Sequence, residues 1–382
     1  MSVPGLSDQI ARAAALPAYA FGVDPATITT REALAALPVL RKSDLSEMQK
    51  RGGLGGLAPH ALSDYHHLFQ SPGPIYEPGM TARDWWRGAR HISAIGIGAG
   101  DVVQNCFSYH LTPAGMIFEN AARAVGAAVI PAGTGQTELQ VRVAAQYGAT
   151  AYAGTPDYLK VILDKAAEMG VALSFTKAAV GGGALFPSLR EAYAEAGILC
   201  MQSYATADLG IVAYETRTGE TIDEGMLIDE GAVLEIVRPG SGDPVPDGEV
   251  GEVVVTTLNP DWPLVRFATG DLSKILTGSE DRRIAGWMGR ADQTAKIKGM
   301  FVRPEQVADM VRHLGASRAR VIVTREGQAD RMAVAVEGAG IEATALQEAV
   351  MAYLKLRGEV SLVEPGSLPN DGLVIEDRRD YG

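Results

Sequence analysis

The stretch 126-GAAVIPAGTGQTELQVRVAAQYGATAYAGTPDYL-159 carries the reading of the fold. It opens on a β-type run, "GAAVIPA", passes a Gly/Thr turn into the helical pattern "TELQVRVAAQY", returns to the strand-like "ATAYAG" and starts a second helix at "PDYL". The same alternation extends outward in both directions. Upstream lie "DVVQNCF" and "AGMIFENAARAV"; downstream the helix runs on as "PDYLKVILDKAAEM" and is followed by "KAAVGGG". Short strands alternating with helices are the pattern of parallel βαβ units, so a doubly wound sheet is expected here.

Around this centre the texture changes twice. Past about residue 215, segments such as "GAVLEIVRPG" and "GEVGEVVVTTL" are β-rich and separated by Gly, Pro and Asp turns, which predicts an antiparallel subdomain over about 215–289. From 290 to 382, "FVRPEQVADMVRHLG", "ARVIVTRE", "RMAVAVEG" and "ATALQEAVMAYL" make up a small α+β unit with its own core pattern. The expected class is therefore α/β: a large N-terminal domain, 1–289, with mixed or parallel sheets flanked by helices, and a small C-terminal domain, 290–382. Near the start, "LAALPVLRKSDLSEMQK" predicts a helix beginning at Ser43-Asp44. "MTARDWWRGARHISAIGI" predicts an amphipathic helix capped by Thr81. No repeat of 20 to 50 residues recurs.

The chain has 382 residues, 47% of them hydrophobic and 21% charged, with a formal net charge of −12. That charge opposes broad attraction to nucleic acid or anionic lipid, and no apolar run reaches the roughly 18 to 20 residues that cross a bilayer. Asp8 and Arg12 interrupt what would be the apolar core of a signal peptide, so a mature cytoplasmic protein is expected. Two cysteines, Cys106 and Cys200, in apolar surroundings read as buried free thiols of a reducing compartment. The six histidines (60, 66, 67, 91, 110, 313) include no pair at zinc-helix spacing. No G-x-S-x-G appears, nor a G-x-G-x-x-G opening a helix after the first strand, which removes serine-hydrolase and Rossmann-dehydrogenase readings.

Two stretches carry more specific chemistry. "LVRFATGDL" (264–272) places Asp271 after a Thr-Gly turn, where a carboxylate can accept two hydrogen bonds from a ribose diol. "WMGRADQTAKIKGMFVRPEQV" follows at 287–307. Together they resemble the adenylate-forming (AMP-binding) enzymes, in the phenylacetate-CoA ligase-like branch, with a ribose motif R-x-x-T-G-D and a hinge motif G-R-x-D-x-x-x-x-x-[KR]-G. The resemblance runs collinearly from about residue 35 to 307 through "LAALPVLRKSDL", "AYAGTPDYL", "AVGGGALFPSLREAY" and "QSYATADLGIVAYET". It implies a two-step reaction in which a small carboxylic acid, aromatic ones included, and Mg-ATP give an acyl-adenylate and coenzyme A then displaces AMP. Position by position, it implies that Gly182, Gly183 and Ala184 line the adenine pocket and Tyr204 stacks on the base. Asp271 would hold the ribose, Arg290 would assist from the hinge, and Asp292 would be the pivot. Asp208 would be the Mg-side carboxylate, and Tyr109 and His110 would line the acyl pocket. The implied partners are the acid, the nucleotide and CoA, with neither nucleic acid nor membrane; a homodimer is left open.

The same resemblance places the phosphate-binding loop, normally S-S-G-T-T-G-x-P with a lysine, at "FQSPGPIYEPG" (69–79), where this chain has three prolines and two glycines in eleven positions. Ser71, Gly73 and Pro78 keep the outline. Pro74-Ile75 replace the hydroxyl pair, Tyr76 replaces the second glycine, and Glu77 stands where lysine is common. Pro72 and Pro74 have no N–H to offer a phosphate, Glu77 is expected to repel a triphosphate, and Ile75 and Tyr76 are expected to cover a pocket. Ala207 replaces a hydroxyl residue in "YATAD", and no lysine follows Lys355, leaving Arg378 and Arg379 as candidate substitutes for a C-terminal catalytic lysine. The nucleoside side is retained and the triphosphate side is altered. A divergent ligase and a non-adenylating relative that binds an acyl, adenylate or CoA ligand are thus the two expectations.

Overall fold

A computed structural model describes residues 2–183, 185–288, 290–291, 295–327, 329–369 and 374–379, apart from the side chain of Glu305. The chain forms two compact units, Met1–Trp287 and Met288–Gly382.

In the first unit the βαβ pattern produces the strands Val102–Asn105, Ala128–Pro131, Ala151–Gly154 and Lys177–Val180, joined by the helices Ala114–Ala124, Thr137–Tyr147 and Pro156–Glu168. These strands pair in parallel, with Val103 opposite both Val129 and Ala151, and Ala151 opposite Lys177. Alternation along each strand divides its side chains between two cores. Ala151 and Ala153 pack with Ile117 and Phe118 on one face, while Tyr152 and Val180 pack with Leu159 and Ile162 on the other. Helices therefore cover both faces.

The sheet continues through Leu199–Thr206 and turns antiparallel at Gly210–Tyr214, Met226–Ile228 and Arg283–Ile284, giving eight strands. Segment 215–289 is thus divided among three sheets, one of them the two-stranded Arg217–Thr218/Thr221–Ile222. Its longer strands, Ala232–Val237, Gly251–Thr257 and Phe267–Ser273, form a separate four-stranded sheet, which Leu40–Arg41 joins in parallel with Phe267-Ala268. In the second unit, four strands and the helices Pro304–Leu314 and Ala343–Leu354 enclose a core of their own, preceded by the hairpin Ala295–Ile297/Met300–Val302.

Two expectations are corrected here. The helix expected from Thr81 onward is confined to Ala89–Ala94. Asp84 and Arg87 adopt positive φ, which breaks a helix at each residue, and the Asp84 carboxylate accepts from the Ala89 N–H at 2.7 Å. The prolyl stretch, expected at the position of a phosphate-binding loop, forms the antiparallel hairpin His67–Ser71/Ile75–Gly79, with Ser71 opposite Ile75 and Phe69 opposite Glu77. In a two-stranded sheet every strand is an edge, so proline is tolerated where no ladder N–H is needed.

Candidate active site

From Val102–Asn105 the chain moves outward to Ala128–Pro131 and then returns across it to Ala151–Gly154. Connections leaving neighbouring strands in opposite directions open a crevice at their carboxyl ends, where ligands of doubly wound sheets bind. The segments after these strands hold Tyr109, Thr155 and Gly181 to Gly183.

Gly181 follows Lys177–Val180, and its N–H donates to Gly154 O at 3.2 Å. Gly182 adopts φ +68 and is exposed. A Cβ on Gly181 would lie 3.3 Å from Ser203 O, so backbone approaches closely there. The neighbouring strand carries Tyr204, whose hydroxyl donates to Asp271 Oδ2 at 2.8 Å and sits 3.0 Å from Thr269 Oγ1. The Trp287 indole N–H donates to Asp271 Oδ1 at 3.0 Å, and the Asp271 N–H donates to Thr269 Oγ1 at 3.1 Å. Tyr204 and Asp271, remote in sequence, are brought together, and Asp271 is oriented through both carboxylate oxygens. Arg290 is half-buried at the start of the second unit. Ala184 and Asp292 lie outside the described residues.

On the acyl side, the Asn105 amide donates to the Tyr109 hydroxyl at 2.7 Å and to Gly115 O at 2.8 Å. Burial raises the Tyr109 hydroxyl far above its ordinary pKa, keeping it neutral. His110 is exposed, with its backbone N–H on Ser108 Oγ. Beneath them, Gln104 donates to Gln140 at 3.1 Å, and Gln140 donates to Gly133 O and Gly135 O at 2.9 and 2.7 Å. Cys106 joins this network, its Sγ 3.1 Å from Gln140 Oε1. Burial pushes the Cys106 and Cys200 thiols up to about 12, as expected of inert structural cysteines.

Asp208 occupies the turn between Leu199–Thr206 and Gly210–Tyr214, with its side chain fully buried. Neither carboxylate oxygen has a hydrogen-bond partner. Its counter-charge is Lys42, with Nζ 3.0 Å from Oδ2 and 5.8 Å over the Phe267 ring. Lys42 opens the helix Lys42–Gln49, in which Asp44 accepts from the Arg41 N–H at 3.0 Å. Lys42, Ser46 and Gln49 fall on one helical face. That face holds the prolyl hairpin: the Gln49 side chain accepts from the Tyr76 N–H at 2.9 Å and donates to Tyr76 O at 2.7 Å. The sequence reading missed Lys42 and Trp287; the only signal for Lys42 was its place in the entry segment "LAALPVLRKSDL".

The hairpin also reverses two expectations about its side chains. Ile75 is buried in the core while Tyr76 is 40% exposed, so they do not jointly cover a pocket. Glu77 points inward and is 1% exposed. One oxygen accepts from the Ser71 hydroxyl and the other is buried without a hydrogen-bond partner. Burial, and then the negative charge of Asp208, push the Glu77 carboxyl up to about 8, against the opposing pull of Ser71 and Lys42. The candidate substitutes for the C-terminal lysine are held in ion pairs of the second unit: Arg379 is buried against Asp377 and Asp330, and Arg378 pairs with Glu376.

Residues 80–259 match the family described as AMP-binding enzyme. Over 329 residues the chain is 29% identical to the phenylacetate-coenzyme A ligase of Aromatoleum evansii, covering 83% of this chain and 74% of that protein. It is 26% identical over 332 residues to the phenylacetate-coenzyme A ligase of Thermus thermophilus, with the same shares covered. Its fold resembles that of 2-hydroxyisobutyryl-CoA ligase in complex with 2-HIB-AMP and CoA, with TM-score 0.79 and 22% identity, covering 99% of this chain and 89% of that one. Residues 80–259 thus carry an AMP-binding enzyme region, and over most of its length the chain is similar to phenylacetate-coenzyme A ligases.

Proposed function

We propose that the protein is an AMP-forming acid–CoA ligase that activates a small carboxylic acid as an acyl-adenylate and transfers the acyl group to CoA. The observation that carries this is the assembled nucleoside side: Asp271, with one oxygen on Tyr204 and the other on Trp287, presents an oriented carboxylate. Its role is to accept from the ribose hydroxyls, while Gly182 and Gly183 admit the adenine edge beside Tyr204. Tyr109, neutral and braced by Asn105, borders the acid at the crevice. Arg290 is assigned to the hinge side of the nucleotide.

Adenylate-forming enzymes imply Mg²⁺, and the donor set here fits it, since Asp208 offers a buried carboxylate whose Oδ1 lacks a hydrogen-bond partner and whose Oδ2 meets the Lys42 ammonium. A hard cation prefers such oxygens. Bound there, the ion would offset charge on the phosphates. Lys42, at 3.0 Å from Asp208, supplies a cation to the same place from the protein itself.

The second reading, a non-adenylating binder, is favoured by one observation: the hairpin commits the Tyr76 N–H to Gln49 and turns Glu77 inward, where a phosphate-binding loop offers its N–H groups outward. Acid-dependent exchange of pyrophosphate into ATP separates the two. The ligase reading expects exchange with at least one acid of a broad panel, followed by thioester formation with CoA. Nucleotide or CoA binding with no exchange for any acid selects the second reading.

A further inference from the structure

The segment that follows the prolyl hairpin is tied to the helix Ala114–Ala124 at two points. The Asn120 amide donates to Ala82 O at 2.9 Å, and the Arg83 guanidinium donates to Ala124 O at 3.1 and 2.8 Å. Beside these ties, the segment, the helix and His67 at the start of the hairpin enclose a cavity of about 220 Å³. Met80, Trp86 and Met116 give it apolar walls, and Trp86 is itself buried. His67 and Asn120 supply polar ones. The bond from Asn120 Nδ2 to Ala82 leaves Oδ1 as a free acceptor, and both this oxygen and His67 Nδ1 are buried without a hydrogen-bond partner. Buried polar atoms left in this state are costly and call for a partner from outside the chain.

We propose that this cavity binds a small neutral aromatic molecule bearing one hydroxyl group, phenol being the simplest. An indole and two thioethers favour contact with an aromatic ring. A cavity of about 150 Å³ admits benzene, so this one has room for a ring and its substituent. The hydroxyl donates to Asn120 Oδ1 and accepts from His67 in its Nδ1–H tautomer. Water satisfies the same two atoms but leaves three apolar walls wet, whereas the ring covers them. Glu119 and Arg123 also line the cavity, 3.8 Å apart, and offset each other's charge, so the site selects no ion. It shares no residue with Tyr204, Asp271 or Gly181 to Gly183, and binding here does not depend on whether the protein adenylates an acid.

The test is fluorine NMR of the full chain titrated with 4-fluorophenol, following the shift and broadening of the ligand signal. One saturable site per chain is expected at millimolar ligand, and AMP should not displace it. Fluorobenzene, which has the ring without the hydroxyl, should bind about tenfold more weakly, because it leaves the buried acceptor unpaired. Met116→Trp fills the cavity from its wall and should abolish binding; Asn120→Leu should bring the two probes to similar affinity. Near-UV circular dichroism reports whether each variant is folded, and the comparison of the two probes on the wild type needs no variant. No saturable binding of 4-fluorophenol, its displacement by AMP, equal affinity for fluorobenzene, or wild-type binding by folded Met116→Trp overturns the proposal.

Discussion

Asp271 and His91 show how differently one buried polar residue can behave from another. Asp271 has each oxygen on a donor from a different segment, so Asp271→Ala removes a charged acceptor and strands both donors. Lost hydrogen bonds to a charged group cost about 1.5 to 3 kcal/mol, so AMP affinity measured by calorimetry should fall about 10- to 100-fold; unchanged affinity would remove Asp271 from the site. His91 lies fully buried between Phe118 and Tyr214, with neither ring nitrogen hydrogen-bonded. Burial lowers its pKa from 6.5 to about 3. The unfolded chain therefore binds a proton that the folded chain refuses throughout this interval, and stability is lost as pH falls below about 6.5. Linkage gives a loss of about 2 kcal/mol between pH 7 and 5. His91→Leu should flatten that part of the stability curve in denaturant titrations; an unaltered acid limb would contradict the assignment.

Among the elements, the helix Lys42–Gln49 and the prolyl hairpin act as a pair. Gln49 satisfies both backbone groups of Tyr76, so Gln49→Ala should destabilise by about 1 to 3 kcal/mol and speed hydrogen exchange at the Tyr76 amide. Exchange as slow as in the wild type would show that the hairpin is held by other means. Gly210 closes the turn that presents Asp208. It adopts φ +74, and a Cβ there would lie 2.8 Å from Trp86 O. Left-handed strain and the clash together predict a loss of roughly 2 to 4 kcal/mol for Gly210→Ala, measured by thermal melting; a wild-type Tm would contradict the close approach. Helix Thr137–Tyr147 was legible to the residue because turn residues bracket it, with Gly148 ending it in the left-handed conformation. The hairpin was not, because its prolines read as breakers when only the strand pairing shows that their missing N–H groups are not required. The helix expected from Thr81 failed for the opposite reason: its apolar pattern is helical, but two residues at positive φ interrupt it.

At the scale of the whole molecule, the parallel sheet was legible from alternation alone, and local motifs singled out Asp271 and Tyr204, which the fold then brings into hydrogen-bond contact. What escaped is non-local. The pairing of Lys42 with Asp208 and the inward turn of Glu77 depend on three segments meeting at one point, and no spacing in the chain encodes that. The proposed nucleoside side, Asp271 with Tyr204 and Trp287, is assembled, while the prolyl hairpin turns Glu77 inward. The central claim is that the protein adenylates an acid. Acid-dependent ATP–pyrophosphate exchange across a panel of small aliphatic and aromatic acids tests it most directly. The account predicts exchange with at least one acid and thioester on adding CoA; no exchange with any acid, from protein whose Tm still rises with AMP, would contradict it.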